Sequence, residues 1–149
     1  MMKTAPIGIC LALSCLAACG PSNRERVGDQ VEAVRVRLYR ASWGGAPSEE
    51  RLAADRVAFG CVWDAVTDAG GDPNAEFQCF IRQTESYTAC LGHVPSAASG
   101  HDVAGSIDSC RRESEALCVL SDAFQTAGRD TCASPTSPRP PVQPPRHTP

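Results

Sequence analysis

An all-α domain of about four helices in antiparallel hairpins, stapled by disulfides, is the fold class predicted for this chain, and three observations predict it. Apolar residues recur at helical spacing in four separate stretches. Ser, Asp, Gly and Pro punctuate the gaps in the pattern of helix caps and stops. No window alternates apolar with polar residues in the β-branched manner of a strand.

Each element has its own justification. Ser22 and Glu25 form a Ser-x-x-Glu capping box, so a first helix starts at once. Val27, Val31, Val34 and Leu38 give it one apolar stripe to about Arg40, and Gly44-Gly45 with Pro47 end it. Ser48 caps a second helix, with Glu49-Glu50 facing its positive end. Leu52, Phe59, Trp63 and Val66 share its apolar face, with Val57 and Cys61 beside them. Gly70-Gly71 stops that helix, and Asp72-Pro73 restarts the chain as N-cap and first-turn proline. The third helix carries Phe77, Phe80, Ile81, Tyr87 and Leu91, with Gly92 as its C-cap. Residues 93–102 read as a loop. A fourth helix is predicted over residues 103–127, aligning Val103, Ile107, Cys110, Leu117 and Phe124. The helical domain spans residues 24–133, and residues 134–149 form a tail. From Pro135 onward seven of fifteen residues are proline, the composition of an extended, solvated segment in preference to a recognition site.

Residues 1–18 differ in character. Met1-Met2-Lys3 supplies one positive charge, Ala5 to Leu16 is apolar, and small residues precede Cys19. The apolar run is about a dozen residues, short of the ~20 that span a bilayer core, so a cleaved signal is expected. Leu16-Ala17-Ala18-Cys19 resembles the lipobox of bacterial lipoproteins, a resemblance confined to residues 1–19. It implies cleavage before Cys19 and attachment of diacylglycerol and an N-acyl chain to Cys19. It further implies a lipid anchor in the bacterial cell envelope. Gly20, in place of Asp, implies the outer membrane. Cys15 and Cys10 are poorer lipid sites, because Ala12 stands where a large aliphatic is wanted and Cys10 follows bulky Ile9. Two or more acyl chains, at about 0.8 kcal/mol per buried methylene, hold a protein stably at a membrane. Residues 20–23 are the whole tether and reach about 14 Å.

With Cys10, Cys15 and Cys19 accounted for, Cys61, Cys79, Cys90, Cys110, Cys118 and Cys132 remain. An even set in an exported chain implies disulfides. Hairpin geometry favours Cys61–Cys79, Cys90–Cys110 and Cys118–Cys132. The rival keeps Cys90–Cys110 but pairs Cys79–Cys118 and Cys61–Cys132. It asks helical spans of about 16 and 12 Å to match, which counts against it.

Composition narrows the function without naming it. Lys3 is the only lysine, and loss of residues 1–18 takes the formal charge from −3 to −4. That balance argues against a nucleic-acid partner. No Cys-x-x-Cys, nucleophile elbow or phosphate-cradling glycine loop is present. His93 and His101-Asp102 share a loop without a third ligand, and His147 belongs to the tail, so neither a metal nor a catalytic site is expected. Glu49-Glu50 are explained by capping and Glu113 with Glu115 by an exposed helix face. Trp43 and Trp63 are expected in the core, and Arg35, Arg37, Arg40, Arg111 and Arg112 on solvated faces. The expected function is a lipid-anchored, non-catalytic binding or structural module with no cofactor, held by the membrane and facing an unidentified protein partner. The alternative is a tethered inhibitor or immunity factor against a toxin, phage or protease component. An enzyme or metal protein using His93 and His101 ranks last.

Overall fold

The computed structural model describes residues 22–94 and 102–132, and every regular element in them is helical. Helix α1 spans Asn23–Trp43, α2 Glu49–Asp68, α3 Pro73–Leu91, α4 Val103–Glu115 and α5 Asp122–Thr126, followed by one π turn at Ala127–Thr131. The predicted all-α, disulfide-stapled class holds, and so do the caps. Ser22 and Glu25 close the capping box from both sides, Ser48 Oγ accepts from the Arg51 amide, and Asp72 accepts from Asn74 and Ala75. Gly44 stops α1 in the left-handed region at φ 71°, where a Cβ would be strained, and its amide donates to the Arg40 carbonyl.

The core gathers Val27, Val31 and Val34 of α1, Val62 and Val66 of α2, Phe77 and Ile81 of α3, and Phe124, Ala127 and Cys132 from the C-terminal part. Phe77 is its hub, with the rings of Phe59, Trp63, Phe80 and Phe124 all within 6.4 Å of it, centroid to centroid. Stacked and edge-on aromatic pairs of this kind add to plain area burial. The helices do not pack as simple successive hairpins. α1 and α4 both lie along α3, while α2 rests on α1, α5 and the π turn. α1 and α2 meet mainly through long side chains that bridge them along their length, and a groove lies between them.

Three expectations need correction. The fourth helix does not continue to residue 127. It ends at Glu115, and the Gln83 amide of α3 donates to the Glu115 and Cys118 carbonyls, holding the chain in an open course. Ser121, whose amide donates to the Glu76 carboxylate, then caps the short α5.

The favoured pairing also fails in two bonds of three. The disulfides are Cys61–Cys132, Cys79–Cys118 and Cys90–Cys110, with Cα separations of 5.6, 5.9 and 5.6 Å. The break in the helix explains why. The chain leaves its helical course after the turn at Ala116 and Leu117, so Cys118 no longer follows the axis of α4 and meets Cys79 on α3, where Gln83 holds its carbonyl. The π turn, closed by the Cys132 amide on the Ala127 carbonyl at 2.8 Å, then swings Cys132 back to α2. Val57, finally, is 75% exposed, because the buried stripe of α2 runs through Asp55, Val62 and Val66 on the other side.

Candidate binding surface on the first two helices

The groove between α1 and α2 encloses about 290 Å³. Val31 and Phe59 form its floor. Gly28 permits the depth, since a Cβ there would stand only 3.2 Å from Phe59 Cε1. Charged pairs span its rim. Arg24 donates to both oxygens of Asp64, at 2.7 and 3.2 Å, and to the Gly60 carbonyl. Arg56 forks onto both oxygens of Glu32, at 2.6 and 3.1 Å, and donates to Glu49 at 2.8 Å. Fork-on-fork geometry fixes orientation as well as charge.

Farther along, Asp55 is buried on the apolar stripe of α2. Arg35 Nη1 donates to its Oδ1 at 2.7 Å and Tyr39 Oη to its Oδ2 at 3.3 Å. Arg51 donates through Nε to Tyr39 Oη at 2.5 Å and lies 3.7 Å from Asp55. The Arg51 guanidinium also sits over the Tyr39 ring, 5.4 Å from its centroid, and Arg35 over that of Phe80 at 5.6 Å. Tyr39 is thereby held on three sides, and its ring meets that of Trp43 at 5.1 Å. Trp43 itself is 66% exposed. With Gly45, Ala46, Pro47, Ser48 and Arg51 these rings line an open cleft of about 440 Å³ at the α1–α2 turn. Trp, Tyr and Arg are the residue types that dominate binding energy at protein interfaces.

Several expectations change here. Trp43 is not a core residue. Arg35 is not merely solvated, since it neutralises buried Asp55, whereas Arg37 lies on a solvated face as expected and reaches Glu85 at 2.6 Å. Arg111 pairs with Asp108 at 3.0 Å on an exposed face. His93 is exposed, and Asp102 is committed as the cap of α4, accepting from the Gly105 amide at 2.9 Å. Cys19, His101 and His147 lie outside the described residues. Among the described residues no three His, Cys, Asp or Glu side chains gather as a metal site, and no helix is long and apolar enough to cross a membrane.

Two rim carboxylates are held below the ordinary glutamate range. Glu25 is lowered by hydrogen bonds from Ser22, first its backbone amide and then its hydroxyl, and Glu32 by the hydrogen bonds from Arg56. A carboxyl whose folded pKa is depressed stabilises the fold above its unfolded pKa and loses that contribution as pH falls through the folded value. Glu32→Gln is therefore expected to be modestly less stable than the parent at neutral pH, with the gap closing in acid. Urea denaturation across a pH series measures it, and a gap that widens in acid contradicts the assignment.

Comparison with family models, curated proteins and solved structures returns no match.

Proposed function

We propose that this chain is a lipid-anchored, non-catalytic binding module of the bacterial cell envelope, probing its surroundings through the α1–α2 face. The observation that carries this reading is the exposed Trp43 ring set against a half-buried Tyr39, which Arg51 and buried Asp55 hold from behind. A preordered aromatic pair loses little conformational freedom on binding, so contact area converts efficiently into affinity. The lipobox at residues 16–19 supports the location. Cys19 stands four residues before α1, and a helix of 21 residues rises about 30 Å, so the aromatic corner stands at the end away from the anchor.

Crosslinking in intact cells followed by affinity capture tests both halves. The parent is expected to bring down a discrete protein partner, and Trp43→Ala to lose it while remaining in the detergent phase. Cys19→Ala is expected to leave the detergent phase and accumulate as uncleaved or misplaced precursor. Unchanged capture by Trp43→Ala removes the corner from the interface, and normal partitioning of Cys19→Ala removes the anchor.

A further inference from the structure

We infer that this chain reaches its native bonds by thiol–disulfide exchange, and that it is a substrate of a thiol–disulfide isomerase in the compartment to which it is exported. The inference goes beyond the binding role and takes from the proposed function only the export and the thioether at Cys19.

The native bonds join distant cysteines. In chain order they pair the first cysteine of the body with the last, the second with the fifth and the third with the fourth, across 71, 39 and 20 positions. Nearer partners compete. Cys79 lies 18 positions after Cys61, and Cys132 lies 14 after Cys118. The frequency with which a flexible loop closes falls as about the 3/2 power of its length. In the reduced chain Cys61 therefore meets Cys79 about eight times as often as Cys132, and Cys118 meets Cys132 about five times as often as Cys79. Helix formation does not lift this bias. Cys61 and Cys79 each stand nine positions from Gly70, at the turn between α2 and α3, and come level when those helices fold back on one another.

Order of emergence adds to it. α2 packs chiefly on α5 and the π turn, and the core is completed by Phe124, Ala127 and Cys132, which leave the export channel last. At ~5–20 residues per second, Cys132 follows Cys61 by about 4–14 s, on the scale of disulfide formation itself. When Cys61 first meets an oxidant, Cys79 is at hand and Cys132 is not.

The local set (Cys61–Cys79, Cys90–Cys110, Cys118–Cys132) and the native set share Cys90–Cys110 and differ by one cycle of exchange. Forming three local bonds passes six electrons and six protons to three oxidised dithiol carriers, each reduced to its dithiol. No thiolate then remains in the chain, because Cys19 is a thioether, so exchange has to start from outside. An external thiolate attacks Cys61 in Cys61–Cys79, forming a mixed disulfide and releasing the Cys79 thiolate. Cys79 attacks Cys118 in Cys118–Cys132, forming Cys79–Cys118 and releasing Cys132. Cys132 attacks Cys61 in the mixed disulfide, forming Cys61–Cys132 and expelling the external thiolate. Two disulfides become two disulfides without net electron transfer, and the attacking thiol is recovered, which is the work of a dithiol protein with a lowered thiol pKa. The native set is the end point. Each of its bonds holds one buried cysteine, Cys132, Cys79 or Cys110, out of reach of further attack.

The test starts from the mature chain purified from cells in detergent, whose intact mass reports the lipid on Cys19 separately. The protein is reduced, unfolded and reoxidised on dilution by diamide, a diazene that takes up the electrons as a hydrazine and offers no thiol. Cleavage after arginine tells the two sets apart. Cys61 and Cys79 share the peptide 57–82, which carries its own bridge in the local set and is joined to the peptides of Cys118 and Cys132 in the native set. Diamide alone is expected to leave the native set a minority product. Once diamide is removed, a substoichiometric amount of reduced protein disulfide isomerase is expected to raise the native set about eightfold, to the main product. The same isomerase with alkylated thiols is expected to change nothing, and native protein given the active isomerase is expected to keep its bonds. A native set formed in full by diamide alone overturns the inference, as does a local set that persists beside active isomerase. Conversion of native protein to the local set overturns it as well, since the native bonds are then not the end point. A mass without lipid sinks the anchor and leaves Cys19 as an internal thiol, whereas a lipidated chain that reaches the native set in diamide alone sinks this inference and spares the anchor.

Discussion

Replacing Cys61 and Cys132 together by serine is expected to lower the unfolding free energy by about 4 kcal/mol, more than removal of either other bridge. The three disulfides are concentric. Cys61–Cys132 spans 71 positions and encloses Cys79–Cys118 at 39, which encloses Cys90–Cys110 at 20. With the inner two intact, the outer bridge still closes an effective loop of roughly thirty residues, worth about 3.5–4 kcal/mol of denatured-state entropy. Removing Cys90–Cys110, with nothing nested inside it, forfeits about 3 kcal/mol on the same relation. The outer bridge also pins the π turn, and with it Phe124, Ala127 and Cys132 of the core. A domain of this size has about 5–15 kcal/mol in total, so the loss takes a large share. Urea unfolding of the purified variants under non-reducing conditions measures the ranking. Equal stability of parent and Cys61→Ser/Cys132→Ser, or a larger loss from the innermost pair, contradicts the concentric arrangement.

That arrangement also shows where sequence logic carries and where it stops. Helix starts were legible because capping is local chemistry. Ser22 with Glu25, Ser48, and Asp72 before Pro73 each satisfy amides within three residues, and each does so in the fold. Cys90–Cys110 was legible because it joins helices adjacent in sequence. The other two pairs depended on a break after Glu115 that aligned apolar residues concealed, since Leu117 and Phe124 keep helical register across it. Leu117 is 54% exposed, however, and the signal was Ser121-Asp122, an N-cap followed by an acid, overlooked inside an apparently continuous helix. Asp55 was missed in the sequence, although a signal for it was there. It falls at helical spacing between Leu52 and Phe59, and a lone acid on an apolar stripe calls for a cation from a neighbouring helix. Trp43 was not legible, because whether an aromatic at a helix end turns inward depends on what distant parts of the chain pack against it.

Asp55→Ala is expected to cost about 3 kcal/mol and to loosen the aromatic corner together with the fold. Removing one member of a buried ion pair costs roughly 3–5 kcal/mol, because the remaining charge keeps its desolvation penalty without its partner. Here Arg35 and Arg51 are left behind, with side chains 28% and 19% exposed, so water relieves part of the penalty and the lower end of the range applies. Tyr39 Oη loses its acceptor at the same time, leaving the ring beside Trp43 held by Arg51 alone. Two controls separate the causes. Asp55→Asn keeps an acceptor for Tyr39 but not the charge, and is expected to recover part of the stability and most of the order of the corner. Arg35→Met with Asp55→Leu removes the closer charge pair in comparable volume but leaves Arg51 without its carboxylate, and is expected to recover part of the stability without the corner, since Tyr39 still has no acceptor. Urea denaturation gives the first quantity and the Trp43 indole resonance the second, with Trp63 as internal reference. A loss below about 1 kcal/mol, the scale of an exposed pair, places Asp55 in solvent contact and contradicts its burial. A full loss with an undisturbed Trp43 resonance breaks the link from Asp55 through Tyr39 to the corner, and with it the account of how the candidate surface is ordered.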